Sequence, residues 1–205
     1  MDTLINQFQQ TSLVEWLGTL TGLIGVYLSI KEKVLAWPFF IICYGLYAYL
    51  SYSASLYAAM SMNACFIPIA IYGWRQWSGS QKNNNAQNET GHELRIRSML
   101  KPTIGWTIAI GIVGTIAIGT LLSRYTEGAA PYLDSFATTI SFLAQWMLSK
   151  KYIQNWLAWI AADLAFVILW GSQGYWVAVA MFLIFTALAV FGFLSWKKEM
   201  QANAA

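Results

Sequence analysis

Charge is what this chain has least of. Only 10% of its 205 residues are Asp, Glu, Lys or Arg, against 58% that are hydrophobic. A water-soluble domain needs far more charged surface, so the composition points to a membrane protein. Histidine is nearly absent as well. The single one, His92, falls in a polar stretch, which excludes histidine-based catalysis or a histidine metal site within the apolar segments. There is no phosphate-cradling glycine loop and no ATPase signature, so a step driven directly by ATP is not encoded. No enzyme chemistry, cofactor or metal is expected. The two cysteines, Cys43 and Cys65, lie in apolar runs and are expected to be buried, reduced thiols. The opening "MDTLINQFQQTS" lacks a basic n-region and a small-residue cleavage site, so no cleaved signal peptide is expected.

What the chain does have is apolar length and rings: 11 Trp, 11 Tyr and 11 Phe. A helix crossing the hydrocarbon core needs about 20 mostly apolar residues. Seven stretches qualify, at 13–30, 34–52, 55–77, 103–124, 132–149, 154–171 and 174–196. Most connections are short. The exception is 78–102, a polar, low-complexity linker expected to be mobile, with an Asn-Glu-Thr sequon at Asn88. Seven crossings put every Lys and Arg except Arg124 on one side, which predicts an outer N-terminus and a cytoplasmic C-terminus in an inner membrane. The retinal-protein reading of seven helices fails, because 174–196 contains no lysine for a Schiff base.

Sliding the chain along itself by 119 residues pairs Thr19 with Thr138, Lys31 with Lys150, Trp37 with Trp156, Met62 with Met181, Gly73 with Gly192 and Trp77 with Trp196. Helices 1–3 therefore correspond to helices 5–7, with helix 4 as a spacer. A single-crossing spacer makes the two triplets parallel repeats about an axis along the membrane normal, the arrangement of SWEET-type sugar transporters. The expected fold is an all-α membrane protein with seven transmembrane helices in a 3+1+3 arrangement. Its expected parts are a first repeat (1–77), a cytoplasmic polar loop (78–102), helix 4 with an outer loop (103–131), a second repeat (132–198) and a cytoplasmic tail (199–205).

Asp163 stands in the middle of helix 6, where a carboxylate costs about 2.5–3.5 kcal/mol on insertion scales. Trp156 and Trp159 share its face, and an anion beneath two indoles suits an aromatic cation. The alternative is a protonated Asp bonded to a neighbouring helix. On helix 5, Asp134, Thr138, Ser141 and Gln145 form a polar stripe that either lines a pathway or bonds helix to helix, with Gln145 favoured for the pathway. Asn63 is an amide within the helix 3 span, either a ligand group or interhelical glue, with Ala70 and Trp74 further along its face. Tyr44 is the repeat equivalent of Asp163 and is expected to face the same central cavity; Trp37 corresponds to Trp156, near the aromatic belt. The expected substrate-binding set is Asp163, Trp159, Trp156, Gln145, Trp146, Asn63, Tyr44, Ser141, Thr138 and Trp74.

"YAAMSMNACFIPIAIYGWRQW" (57–77), "DSFATTISFLAQWMLSKKYIQNWLAWIAAD" (134–163) and "GFLSWKK" (192–198) resemble the Pnu family of bacterial vitamin transporters. The resemblance covers nearly the whole chain and implies a 3+1+3 helix plan, uptake of a nucleoside-like vitamin by facilitated diffusion, trapping by a cytoplasmic kinase, and a homotrimer. The nicotinamide riboside branch carries Gln at the position of Asn63, and Asn at those of Ala70 and Asp163. Asn63 together with Asp163 is similar to the thiamine-transporting branch, which implies thiamine as substrate. Nicotinamide riboside is the alternative within the family. A proton-coupled vitamin carrier, or a membrane subunit that binds a vitamin without moving it, is the alternative beyond it.

Overall fold

The computed structural model describes residues 11–85, 94–126 and 130–203. Those residues form seven helices: α1 (Leu13–Ile30), α2 (Ala36–Ser53), α3 (Tyr57–Asn85), α4 (Lys101–Tyr125), α5 (Pro131–Ser149), α6 (Gln154–Ser172) and α7 (Trp176–Ala202). Local chemistry starts and stops them. Ser12 caps α1, its hydroxyl accepting from the Glu15 amide at 3.2 Å. Pro102 and Pro131 sit in the first turns of α4 and α5, where an absent N–H costs nothing.

Four helices end in the same way. Glu32, Ser55, Lys151 and Gly174 have φ of 53°, 58°, 52° and 79° and close α1, α2, α5 and α6 respectively. In each, the following amide reaches back into the last turn: Lys33 to the Leu28 carbonyl, Leu56 to Ser51, Tyr152 to Met147 and Tyr175 to Trp170, at 2.8–3.0 Å. These are Schellman closures, and glycine fills the left-handed position in one of the four.

α1 packs on α2, α2 on α3, α3 on α5, α5 on α6, α6 on α7, and α7 returns to α1. The six form a closed ring. α4 touches only α5 among the described residues and stands outside it. Its glycines admit α5 closely, Gly114 facing Thr139 and Gly119 facing the Tyr132 ring. Its other side leaves Ile108, Ile112 and Ile116 56–57% exposed, a surface that belongs in lipid. α1, α4, α6 and α7 are long and apolar enough to cross a membrane. α2, rich in tyrosine, α3 and α5, with its polar stripe, fall below that hydropathy.

Large indoles fill one end of the ring. Trp37 lies directly against Gly73 and meets Trp77 edge-on, 5.4 Å between centroids at 87°. Trp156 lies on Gly192 and meets Trp196 at 5.3 Å and 85°. The two notches are 119 residues apart at every member, the same separation as Glu32 and Lys151.

Two expectations need correction. α3 continues to Asn85, through the first part of the stretch read as a loop, because a polar sequence beyond the membrane can extend a helix. Further on, residues 94–99 are tied down. Arg97 donates to the Lys151 carbonyl and accepts from Ile153, Met99 donates to Gln154 Oε1, and Leu94 donates to Ser80 Oγ. His92 and Asn88 lie outside the described residues. Cys43 is buried as expected, but Cys65 is exposed on α3, on a face turned away from the ring's interior.

Candidate functional site

A cavity of about 150 Å³ opens inside the ring, walled by α1, α2, α6 and α7 with Leu148 of α5 at one end. Gly22 and Val26 of α1 form one side. Gly22 leaves room for the Cys43 thiol, which lies 3.2 Å from where a Cβ would project. Phe40 and Tyr44 come from α2, Trp156, Trp159 and Asp163 from α6, and Phe182 and Phe185 from α7. The walls are rings and aliphatic carbon almost throughout.

Asp163 is the one charged residue in that lining. It is buried, 5% exposed, and no hydrogen bond or ion pair reaches its carboxylate among the described residues. The expected alternative, a carboxyl group bonded to a neighbouring helix, is therefore not what the structure holds. The Trp156 indole N–H is also buried without a partner. A carboxylate on the wall of a ring-lined space can take a flat cation, through charge and cation–π contact.

Of the ten expected site residues, the structure brings Asp163, Trp159, Trp156 and Tyr44 to the cavity wall. The others lie elsewhere for a visible reason. Tyr44 stacks on Phe66 (4.8 Å) and Phe66 on Phe142 (4.3 Å), a slab of rings that fills the α3–α5 side of the ring. Gln145 is fully buried with both amide atoms unpartnered, but it is not in the lining. Asn63 donates to the Ala59 carbonyl of its own helix at 2.9 Å, and Ser141 to Ala137 at 2.8 Å. Thr138 reaches Met62 Sδ at 3.4 Å and Asp134 Oδ1 at 3.5 Å, so it joins α5 to α3. Trp146 leans on Tyr152, centroids 6.0 Å apart, and Trp74 is 42% exposed.

Phe40, Cys43, Phe182 and Phe185 were not among the expected site residues, yet they form much of the wall. The repeat held part of the signal, since Phe40 stands 119 residues before Trp159 just as Tyr44 does before Asp163.

A ring of apolar helices enclosing a small, ring-lined cavity with a single carboxylate on its wall defines a multi-pass membrane protein with an interior cavity. A family model described as "Nicotinamide mononucleotide transporter" matches residues 12–198, and the chain belongs to that family, one of transporters rather than enzymes. The nicotinamide riboside transporter PnuC of Escherichia coli (strain K12) is 25% identical over 90% of this chain and 85% of its own. The riboflavin/roseoflavin transporter RibM of Streptomyces davaonensis is 25% identical over 89% of this chain and 83% of its own. Among solved structures, the crystal structure of the vitamin B3 transporter PnuC superposes with a TM-score of 0.71 at 24% identity, covering 96% of this chain and 87% of that one, a likeness of fold.

Proposed function

We propose that this protein is a thiamine carrier of the bacterial inner membrane, working by facilitated diffusion, with its N-terminus outside and its C-terminus in the cytoplasm. The six-helix ring is read as two parallel triplets of the SWEET type with α4 as spacer, one rocking against the other about the cavity. Phosphorylation by a cytoplasmic kinase makes the vitamin anionic, and a carboxylate-lined site repels an anion, so the product does not return. A homotrimer and that kinase are the partners this reading implies.

One observation carries it: an unpaired carboxylate, Asp163, on the wall of a cavity otherwise made almost entirely of rings and aliphatic carbon. Thiamine presents a cationic ring and an aminopyrimidine whose amino group donates to a carboxylate. Nicotinamide riboside is also a cation, but its ribose hydroxyls need partners, and the lining contains no amide. Of its hydroxyl groups, Ser29 is already committed to the Val26 carbonyl at 2.7 Å. Trp159 supplies an indole face to the cation, and Trp156 lines the same wall.

The second reading, nicotinamide riboside, draws on the names of the relatives from E. coli and elsewhere. Calorimetric titration of purified protein separates the two. Thiamine is expected to bind more tightly than nicotinamide riboside, and Asp163→Asn to weaken it at least about thirtyfold. Tighter nicotinamide riboside binding reverses the choice of substrate, and unchanged affinity in the variant removes Asp163 from its role. Counterflow of labelled thiamine in proteoliposomes excludes a subunit that only binds.

A further inference from the structure

Beneath the cavity, Lys151 Nζ donates to Glu32 Oε2 at 2.6 Å. We propose that this ion pair is the latch of an inner gate: it holds the cavity shut towards the cytoplasm and parts when ligand is released inward. The proposal rests on the transport reading above and adds the device that controls it.

The pair, with Glu199 of α7 beside both of its members, links two turns whose helices do not otherwise pack directly on one another. Glu32 lies in the α1–α2 turn and Lys151 in the α5–α6 turn, yet neither α1 nor α2 packs on α5 or α6 among the described residues. The contact therefore runs straight across the ring. It lies just past the cavity's inner end, since Ser29 and Leu148, both in the lining, precede Glu32 and Lys151 by three residues each. The two partners are themselves 119 residues apart, so they occupy the same place in the two halves and meet on the axis between them.

Around the pair, further links cross between the halves. Lys151 Nζ sits 4.9 Å from the centroid of the Trp77 ring, Trp77 lies 6.5 Å from Trp196, and Trp196 donates its indole N–H to the Ile30 carbonyl at 3.2 Å. In the outer half of the ring the corresponding links are hydroxyl–sulfur contacts, Thr19 to Met181 at 3.7 Å and Thr138 to Met62 at 3.4 Å. Charge closes the inner end, and weak contacts close the outer.

Two features mark the pair as made to open. Its side chains are 13% and 19% exposed, buried enough for the charges to attract and wet enough for water to replace the bond when it breaks. Both residues also hold left-handed backbone, φ 53° and 52°, where glycine would sit without strain. The fold keeps two charged side chains at positions that favour none.

The test reads access to the cavity through Cys43, which lines it, in a Cys65→Ser background that removes the exposed thiol. A charged methanethiosulfonate is applied to one face or the other of oriented vesicles. Glu32→Gln and Lys151→Gln are each expected to raise labelling from the cytoplasmic face about tenfold, leaving the outer face unchanged. Lys151→Arg should label as wild type, and exchanging the charges, Glu32→Lys with Lys151→Glu, should restore slow labelling. Flat labelling in both neutral variants overturns the latch, as does a charge-exchanged protein as open as they are. A rise from both faces alike means general loosening and also overturns it. Should no vitamin exchange in counterflow, the transport reading fails while the labelling still reports on the pair.

Discussion

Adding one methyl group at Gly192 should both destabilise the protein and shrink its binding site. A Cβ there would lie 2.7 Å from Trp156 Cε2 and 2.8 Å from Cδ2 and Cε3, whereas ordinary contact begins at 3.4 Å. These are ring atoms, so no flexible side-chain end can give way. Trp156 is 1% exposed and held edge-on by Trp196, which leaves the cavity it lines as its direction of retreat. Overpacking of this kind costs about 1–3 kcal/mol. At about 2–4 °C per kcal/mol for a chain of this length, Gly192→Ala should lower the detergent-solubilised Tm by about 2–12 °C. Ligand affinity should fall with it, because the displaced indole occupies binding space. Gly45→Ala, with no heavy atom within 4 Å of the added Cβ, is the control and should unfold no earlier than wild type. Trp156→Phe in the Gly192→Ala background should recover part of the lost Tm, since the smaller ring relieves the clash. A Gly192→Ala protein as stable as the control, or no recovery in the double variant, would refute the packing argument.

Gln145→Leu should raise the Tm of the ligand-free protein, by an amount equivalent to about 1–3 kcal/mol, because it removes a buried amide whose two polar atoms have no partner. A fall in Tm would mean that the amide is satisfied in solution. Ser55→Gly relieves a left-handed residue at the position where the other half has Gly174, and should add about 1 kcal/mol, read as a rise in Tm; no change counts against strain at that turn. Trp159→Leu removes an indole from the cavity wall and should weaken thiamine binding roughly tenfold in calorimetry, so an unaltered Kd would place the ligand elsewhere.

The helices were legible because lipid writes them in composition: an apolar run of sufficient length can do little else, and all seven stretches are helical. Their ends were less so. α3 runs past its apolar segment to Asn85, since beyond the membrane a polar sequence continues or leaves a helix with little penalty. In the site, Asp163 and its two indoles were found from chemistry and helical spacing alone, because a carboxylate in hydrocarbon is costly wherever it points. The polar stripe of α5 was less informative. Thr138 and Ser141 satisfy themselves against α3 and their own helix, and a periodicity cannot distinguish a pathway from a seam. Phe40 and Phe185 were hidden among 33 aromatic residues, 11 of each kind, and only the fold says which of them face the void.

Where the two halves agree and where they differ separates frame from site. Residues 119 apart match at the Trp37 and Trp156 notches, at the edge-on partners Trp77 and Trp196, and at the Thr–Met contacts. All of these set how helices approach one another. At the cavity the matched positions diverge: Tyr44 against Asp163, Phe40 against Trp159, Ser29 against Leu148. A symmetric cavity would hold two carboxylates or none. Two would repel across a narrow space, and none would leave the cation of the proposed function unpaired. One charge for one ligand requires the symmetry to break at this level of the ring, and the slab of Tyr44, Phe66 and Phe142 fills the side that Asp163 leaves empty. Glu32 and Lys151 break it in the complementary sense. Two positions 119 residues apart that face each other can attract only if they differ, and here they carry opposite charges.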